Sequence, residues 1–80
     1  MRIINSNPSP YKVGRRVVVT KVFASGSTLL HIGDIGIIKH IETHNLPDFG
    51  LFDLKVYNIS FIGNEVNIGE GIMKDYMDPA

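Results

Sequence analysis

Apolar positions along this 80-residue chain fall in short runs, β-branched or alternating with polar residues, separated by Gly, Pro, Asn and Ser. That spacing is the signature of strands rather than helices. Val17, Val18, Val19, Thr20, Lys21 and Val22 form an almost wholly β-branched run, which predicts a first strand over 16–23. Valine at both parities implies cover on both faces, or a strand that crosses between the halves of a barrel. The turn pair Gly33-Asp34 opens a second strand, expected over 34–42. Gly36 inside it marks a bulge or the close approach of another backbone, a device that lets a strand bend around a very small barrel. In residues 51–57, Phe52, Leu54 and Val56 alternate with Asp53 and Lys55, so a third strand is predicted with the apolar three facing inward. Residues 58–62 extend that strand or begin another. Gly63-Asn64 then makes a tight hairpin turn into a fourth strand over 65–68. Residues 72–77 are too few for a stable isolated helix and read as one 3-10 turn leading into a short closing strand.

Between these elements lie two longer connections. Residues 24–32 have a flexible tip at Ser25-Gly26-Ser27-Thr28 and an apolar return through Leu29, Leu30, His31 and Ile32. Leu30 and Ile32 are expected to cap one end of the core. Residues 43–50 are rich in turn formers and carry Leu46 and Phe49. Pro8 and Pro10 exclude a helix at the start, so residues 1–10 are expected to be a loosely ordered arm, with residues 1–4 free or paired on a sheet edge. Residues 11–80 then form one domain. It is expected to be an all-β small barrel of four to five strands with one short 3-10 turn near the C-terminus. Its predicted core is Val17, Val19, Ile35, Ile38, Phe52, Leu54, Val56, Val66 and Ile72.

Composition narrows the class. With 44% hydrophobic and 20% charged residues, the chain sits among globular domains and away from disordered ones. It has no cysteine, so neither disulfides nor thiolate metal sites are available. No apolar run approaches the ~18 residues needed to span a bilayer. A cytoplasmic protein without membrane contact is expected. Charge is zero overall but uneven: residues 1–21 sum to +5 and residues 22–80 to −5. The basic N-terminal stretch either pairs with acidic neighbours in the fold or forms an exposed patch able to approach phosphate.

The run Val13-Gly14-Arg15-Arg16-Val17-Val18-Val19, a loop, and then Gly33-Asp34-Ile35-Gly36-Ile37-Ile38 resembles the small SH3-like barrels of KOW type. There an opening V-x-G-D-x-V-x-V strand is followed by a loop and a G-x-x-G-x-V strand. Arg15 stands where that family usually carries Asp. The segment from Gly69 to Tyr76 is similar to the 3-10 turn that precedes the last strand of such barrels. The likeness spans about residues 11–78 and implies a fold and a habit of binding rather than a fixed activity. Stand-alone barrels of this size are common among phage-encoded accessory proteins, so the resemblance implies a non-enzymatic factor that binds and modulates a host protein. KOW-type barrels also bind RNA or contact the transcription machinery, which implies the alternative of a nucleic-acid module.

Candidate chemistry is sparse. His40 and His44 are four apart with Glu42 between them. A helix would bring two such histidines onto one face for zinc, but a strand running into a turn does not, so no metal site and no cofactor is expected. The serines lack any nucleophile elbow or Lys/His spacing, and no enzyme activity is expected. Gly69-Glu70-Gly71 has an acid where a phosphate cradle needs none. Contact residues for a protein partner are therefore sought in the connections: Leu29, His31, Leu46 and Phe49, with Met77 joining an exposed patch if it is not core. Self-association through an open strand edge is a further expected use. For nucleic acid, the candidates are Tyr11, Lys12, Arg15, Arg16 and Lys21, with salt-sensitive binding.

Overall fold

The computed structural model describes residues 9–80, so the expectations for residues 1–8 lie outside the described part. Seven strands and one helix follow in chain order. They are β1 (Arg16–Val19), β2 (Phe23–Ser25), β3 (Thr28–Leu30), β4 (Ile35–Leu46), β5 (Leu51–Phe61), β6 (Asn64–Gly69), α1 (Glu70–Tyr76) and β7 (Met77–Pro79), with a 3-10 turn over Pro47–Phe49. Five strands form an antiparallel sheet in the order β6-β5-β4-β1-β7, and β2 pairs with β3 in a separate ribbon. The fold is small and all-β. Among the described residues, no helix is long and apolar enough to cross a membrane.

The expected first strand is shorter than its β-branched run. β1 stops at Val19 because the next backbone N–H groups, of Thr20 and Lys21, both turn to the Tyr76 carbonyl, at 2.7 and 3.4 Å. The chain then leaves as the β2–β3 hairpin and returns where Gly33 N–H meets the Val19 carbonyl at 2.8 Å. Gly33 has φ +96°, a conformation that side chains rarely adopt. Beside it the Asp34 carboxylate accepts the His31 N–H at 2.8 Å. The hairpin lies next to β6, with Phe23, Ser25 and Thr28 facing Glu65, Val66 and Asn67 across a shallow cleft.

The core is built from Val17 and Val19, Leu30, Ile38, Tyr57, Ile59 and Phe61, Val66 and Ile68, Met73 and Met77, with Tyr11 closing one side. Leu30 is buried as expected of a cap, whereas Ile32 is exposed. Gly36 faces inward, in register with Val17, and a Cβ there would stand 2.7 Å from Ile59 Cγ2 and from the Phe61 ring. The glycine thus marks a close approach of side chains, not a bulge. The bulge comes later, between Ile38 and His40, where two β4 residues answer one on β5. It puts Ile41, not His40, on the core side opposite Tyr57.

Several expected core residues lie elsewhere. Ile35, Phe52 and Ile72 are exposed, and Leu54 and Val56 are only partly buried. On β5 the inward parity is Tyr57, Ile59 and Phe61, and because side chains alternate, Leu54 and Val56 point the other way. Ile35 yields its place to Gly36 by the same rule. On α1 the inward residue is Met73, one position past Ile72.

Residues 70–76 form a two-turn α-helix where one 3-10 turn was expected. Isolated helices of this length are marginal, and tertiary contacts supply the difference. Met73 is fully buried, and the Tyr57 hydroxyl donates to Glu70 Oε2 at 3.0 Å. Lys74 Nζ lies 3.8 Å from the same oxygen. The chain ends on β7, whose Met77 pairs with Val19 and whose Pro79 pairs with Val17 at the sheet edge. Met77 is core, not part of an exposed patch.

Tyr57 makes this arrangement pH-dependent. Burial, and then the hydrogen bond to Glu70 and its charge, push the Tyr57 hydroxyl up to about 12 from the usual 10.0. The unfolded chain ionises near the usual value while the fold keeps the proton, so the contribution is complete below it and is lost as pH climbs toward the folded value. Unfolding free energies from denaturant titrations, measured from pH 8 upward, should fall above pH 10 by an amount on the order of 2 kcal/mol. Tyr57→Phe should lose about 1 kcal/mol at neutral pH and show a shallower alkaline decline. An unchanged alkaline slope would mean the hydroxyl is not held as described.

Candidate interaction surface

β1 pairs with β4 only along Arg16–Val18 and Ile35–Ile37, and β6 pairs with β5 only from Val56 to Phe61. Among the described residues the outer half of the β4–β5 hairpin therefore has no strand on either side, and it projects as a two-stranded arm. The molecule is 44 Å along its longest axis with a radius of gyration of 14.0 Å, against roughly 12 Å for a compact chain of this length. Residues 42–54 contain Glu42, Asp48 and Asp53 and no Lys or Arg. The end of the arm is apolar: Leu46, Phe49, Leu51 and Phe52 are all exposed, Phe49 by 76% and Phe52 by 60%.

Local chemistry explains how the arm ends. Pro47 starts the 3-10 turn, and Gly50 closes it in the left-handed region, its N–H meeting the Pro47 carbonyl at 3.0 Å. Three residues on, Asp53 has φ +56°. Asp tolerates that region better than most residues, and its N–H donates to Asn45 Oδ1 at 2.9 Å. This coincides with a second register shift, between His44 and Leu46. The strand alternation is interrupted there, so Phe52 does not simply continue the row of Leu54 and Val56. The kink also blunts the β5 edge as a template for a further strand.

Leu54 and Val56 lie opposite His44 and Glu42 on one face of the arm. They continue into a shallow groove with Gly69, Gly71 and Ile72. On the same face Glu42 is flanked by both histidines: His40 Nε2 lies 3.5 Å from Oε2, and His44 Nε2 lies 3.2 Å from Oε1. All three are exposed side chains. Asn58, in register with His40 on one side and Asn67 on the other, donates to Asn67 Oδ1 at 3.0 Å and completes a polar row across three strands.

The four residues expected to contact a protein partner fall on two separate surfaces. Leu46 and Phe49 meet at the arm end. Leu29 is half-exposed on β3, and His31 is exposed just after it, beside the start of β4. The length of β4 separates the two groups, roughly 35 Å at the usual rise per residue. Sequence reading did not single out Leu51, which is exposed at the arm end, and placed Phe52 and Ile72 in the core. The missed signal was the density of apolar residues around a Pro-Asp-Phe-Gly turn.

The nucleic-acid set changes in one member. Tyr11 is buried; its hydroxyl donates to the Met77 carbonyl at 3.2 Å, and its ring packs edge-on against Tyr57. Burial, and secondarily Asp78, raise its pKa. A ring so placed cannot stack on a base. Lys12, Arg15, Arg16 and Lys21 are exposed, with Lys21 Nζ 6.0 Å from the centre of the Tyr76 ring. The ion pairs among the described residues are those of Glu42 with the two histidines and of Lys74 with Glu70. Of the two alternatives for the basic stretch, pairing with acidic neighbours does not occur among the described residues. Instead the fold adds Lys39 to it, because Gly14 N–H meets the Ile38 carbonyl at 2.8 Å and Ile38 N–H meets the Arg15 carbonyl at 2.9 Å.

Comparison with protein-family profiles, with curated proteins and with solved structures returned no match for this chain.

Proposed function

We propose that this chain is a non-enzymatic binding module that holds a protein partner with the end of its β4–β5 arm. The observation that carries this reading is the arm itself: Leu46, Phe49, Leu51 and Phe52 exposed together on a ribbon whose edges no strand of the described residues covers. Two-stranded ribbons are marginal in water, and clustered exposed apolar side chains mark contact sites. Aromatic residues are the usual anchors of such contacts. The likeness to phage-type small barrels makes a host protein, bound and modulated in the cytoplasm, the partner class.

Phe49→Asp should weaken partner capture tenfold or more while leaving the circular dichroism and the melting temperature unchanged, because the side chain touches no core. Leu29→Asp, on the other surface, should leave capture intact. Capture that survives Phe49→Asp but fails with Leu29→Asp would move the site to the β2–β3 hairpin.

A second reading, a nucleic-acid module using Lys12, Arg15 and Arg16, is supported by the absence of a carboxylate within ion-pair distance of these cations among the described residues. It requires material that is released by nuclease and by modest salt. Capture indifferent to both would leave the arm as the site.

A further inference from the structure

The arm reading leaves open what covers the arm when no host partner is bound, and the charges of the molecule itself offer an answer. Resting on that reading, we propose that in the purified protein, free of a host partner, the occupant is a second copy of this chain, docked head to tail. The arm end of one molecule sits on the basic surface at the β1 end of the next.

The two surfaces complement each other in both charge and apolarity. The arm end presents Phe49, Leu51 and Phe52 with Asp48 and Asp53 beside them, all exposed. The β1 end presents Lys12, Arg15, Arg16 and Lys39. Among them stand two exposed apolar residues, Val13 at 60% and Ile37 at 41%, the latter directly opposite Arg16. Opposite potentials around apolar centres are how protein surfaces select one another. The eight residues of β4 between Ile37 and Leu46 keep the surfaces roughly 30 Å apart, so they cannot meet within one chain.

Two-fold pairing is disfavoured on the same grounds. Bringing two arm ends together sets Asp48 and Asp53 against their own copies, and like charges face to face are repulsive. Edge-to-edge pairing of β5 meets the kink at Asp53. An interface between two different surfaces is heterologous, so it repeats and builds a ring or an open row of molecules rather than a closed dimer.

Sedimentation velocity on nuclease-treated protein at rising concentration tests this directly. The wild type should grow past two chains, and added salt should weaken the growth tenfold or more. Phe49→Asp and the double variant Arg15→Glu/Arg16→Glu should each stay monomeric. Mixed together they should form a complex that stops at two chains, since each supplies the surface the other lacks. That complementation requires both variants to be folded. Self-association of the Arg15→Glu/Arg16→Glu variant alone would show arm-to-arm pairing and overturn the proposal. A wild type that is monomeric throughout, or that assembles only before nuclease treatment, would overturn it as well. A photo-crosslinking residue at position 49 separates this failure from failure of the arm reading. Attachment to the β1 end of another copy supports the proposal, and attachment to a foreign protein rejects it but keeps the arm as the site. An absence of product rejects both.

Discussion

Replacing Ile59 with alanine should remove about 2–5 kcal/mol of stability, a large share of what a chain this size holds. Ile59 is fully buried on the interior strand β5, between β6 and β4, opposite the equally buried Ile38 and one strand from Val66. Truncation leaves a cavity that neighbours on three strands cannot close without breaking their register. At about 0.05–0.15 kcal/mol per residue, total stability is on the order of 4–12 kcal/mol, so the variant would be partly unfolded at the low end of that range. The control is Phe52→Ala. Phe52 is larger and was expected in the core, yet it is 60% exposed, so its loss should change stability by no more than about 0.5 kcal/mol. Denaturant midpoints of the two variants decide the matter. A larger loss for Phe52 than for Ile59 would mean that β5 packs with the opposite parity.

Gly36→Ala, the addition of a single methyl group, should destabilise by about 1–3 kcal/mol. Gly36 is not among the glycines with positive φ, so backbone preference by itself would favour alanine by roughly 0.5–1 kcal/mol. The opposing effect is steric: the new Cβ would lie 2.7 Å from Ile59 Cγ2 and 2.7 Å from two atoms of the Phe61 ring. Both neighbours belong to β5; Ile59 is held by pairing to β4 on one side and β6 on the other, and Phe61 by pairing to Asn64 of β6, so overlap wins. Phe61→Leu removes the ring and should absorb part of the cost, making the double variant less destabilised than the sum of the singles. Strict additivity, or a neutral Gly36→Ala, would show that the contact is looser than described. Both experiments test the platform that carries the arm, since β4 and β5 are the strands that project from it.

Much of the scaffold was legible along the chain. The valine run around β1, the turn at Gly33-Asp34 and the short closing strand follow from local chemistry that does not depend on distant residues, whereas the bulge or backbone approach expected at Gly36 proves to be side-chain packing from β5. Leu46 and Phe49 were legible as candidate contacts because they sit among turn formers, where apolar side chains seldom find a core. Phe52 was not. Its alternation with Leu54 and Val56 fits a half-buried strand, and a period of two shows that a strand has two faces without showing which one is buried. The bulge after Ile38 and the left-handed Asp53 shift the pattern further, and neither residue type announces such a conformation.

The sequence by itself determined an all-β chain, its turns and the uneven spread of charge. These depend on backbone preferences and residue chemistry within a few positions. Only the tertiary structure decided which parity of β5 faces inward and that residues 70–76 are helical. It alone placed Lys39 beside Arg15, buried Tyr11 and, among the described residues, left the outer half of the β4–β5 hairpin without a flanking strand. Each of those outcomes depends on what a residue meets across the sheet, and cross-strand partners are set by register, which no local pattern encodes.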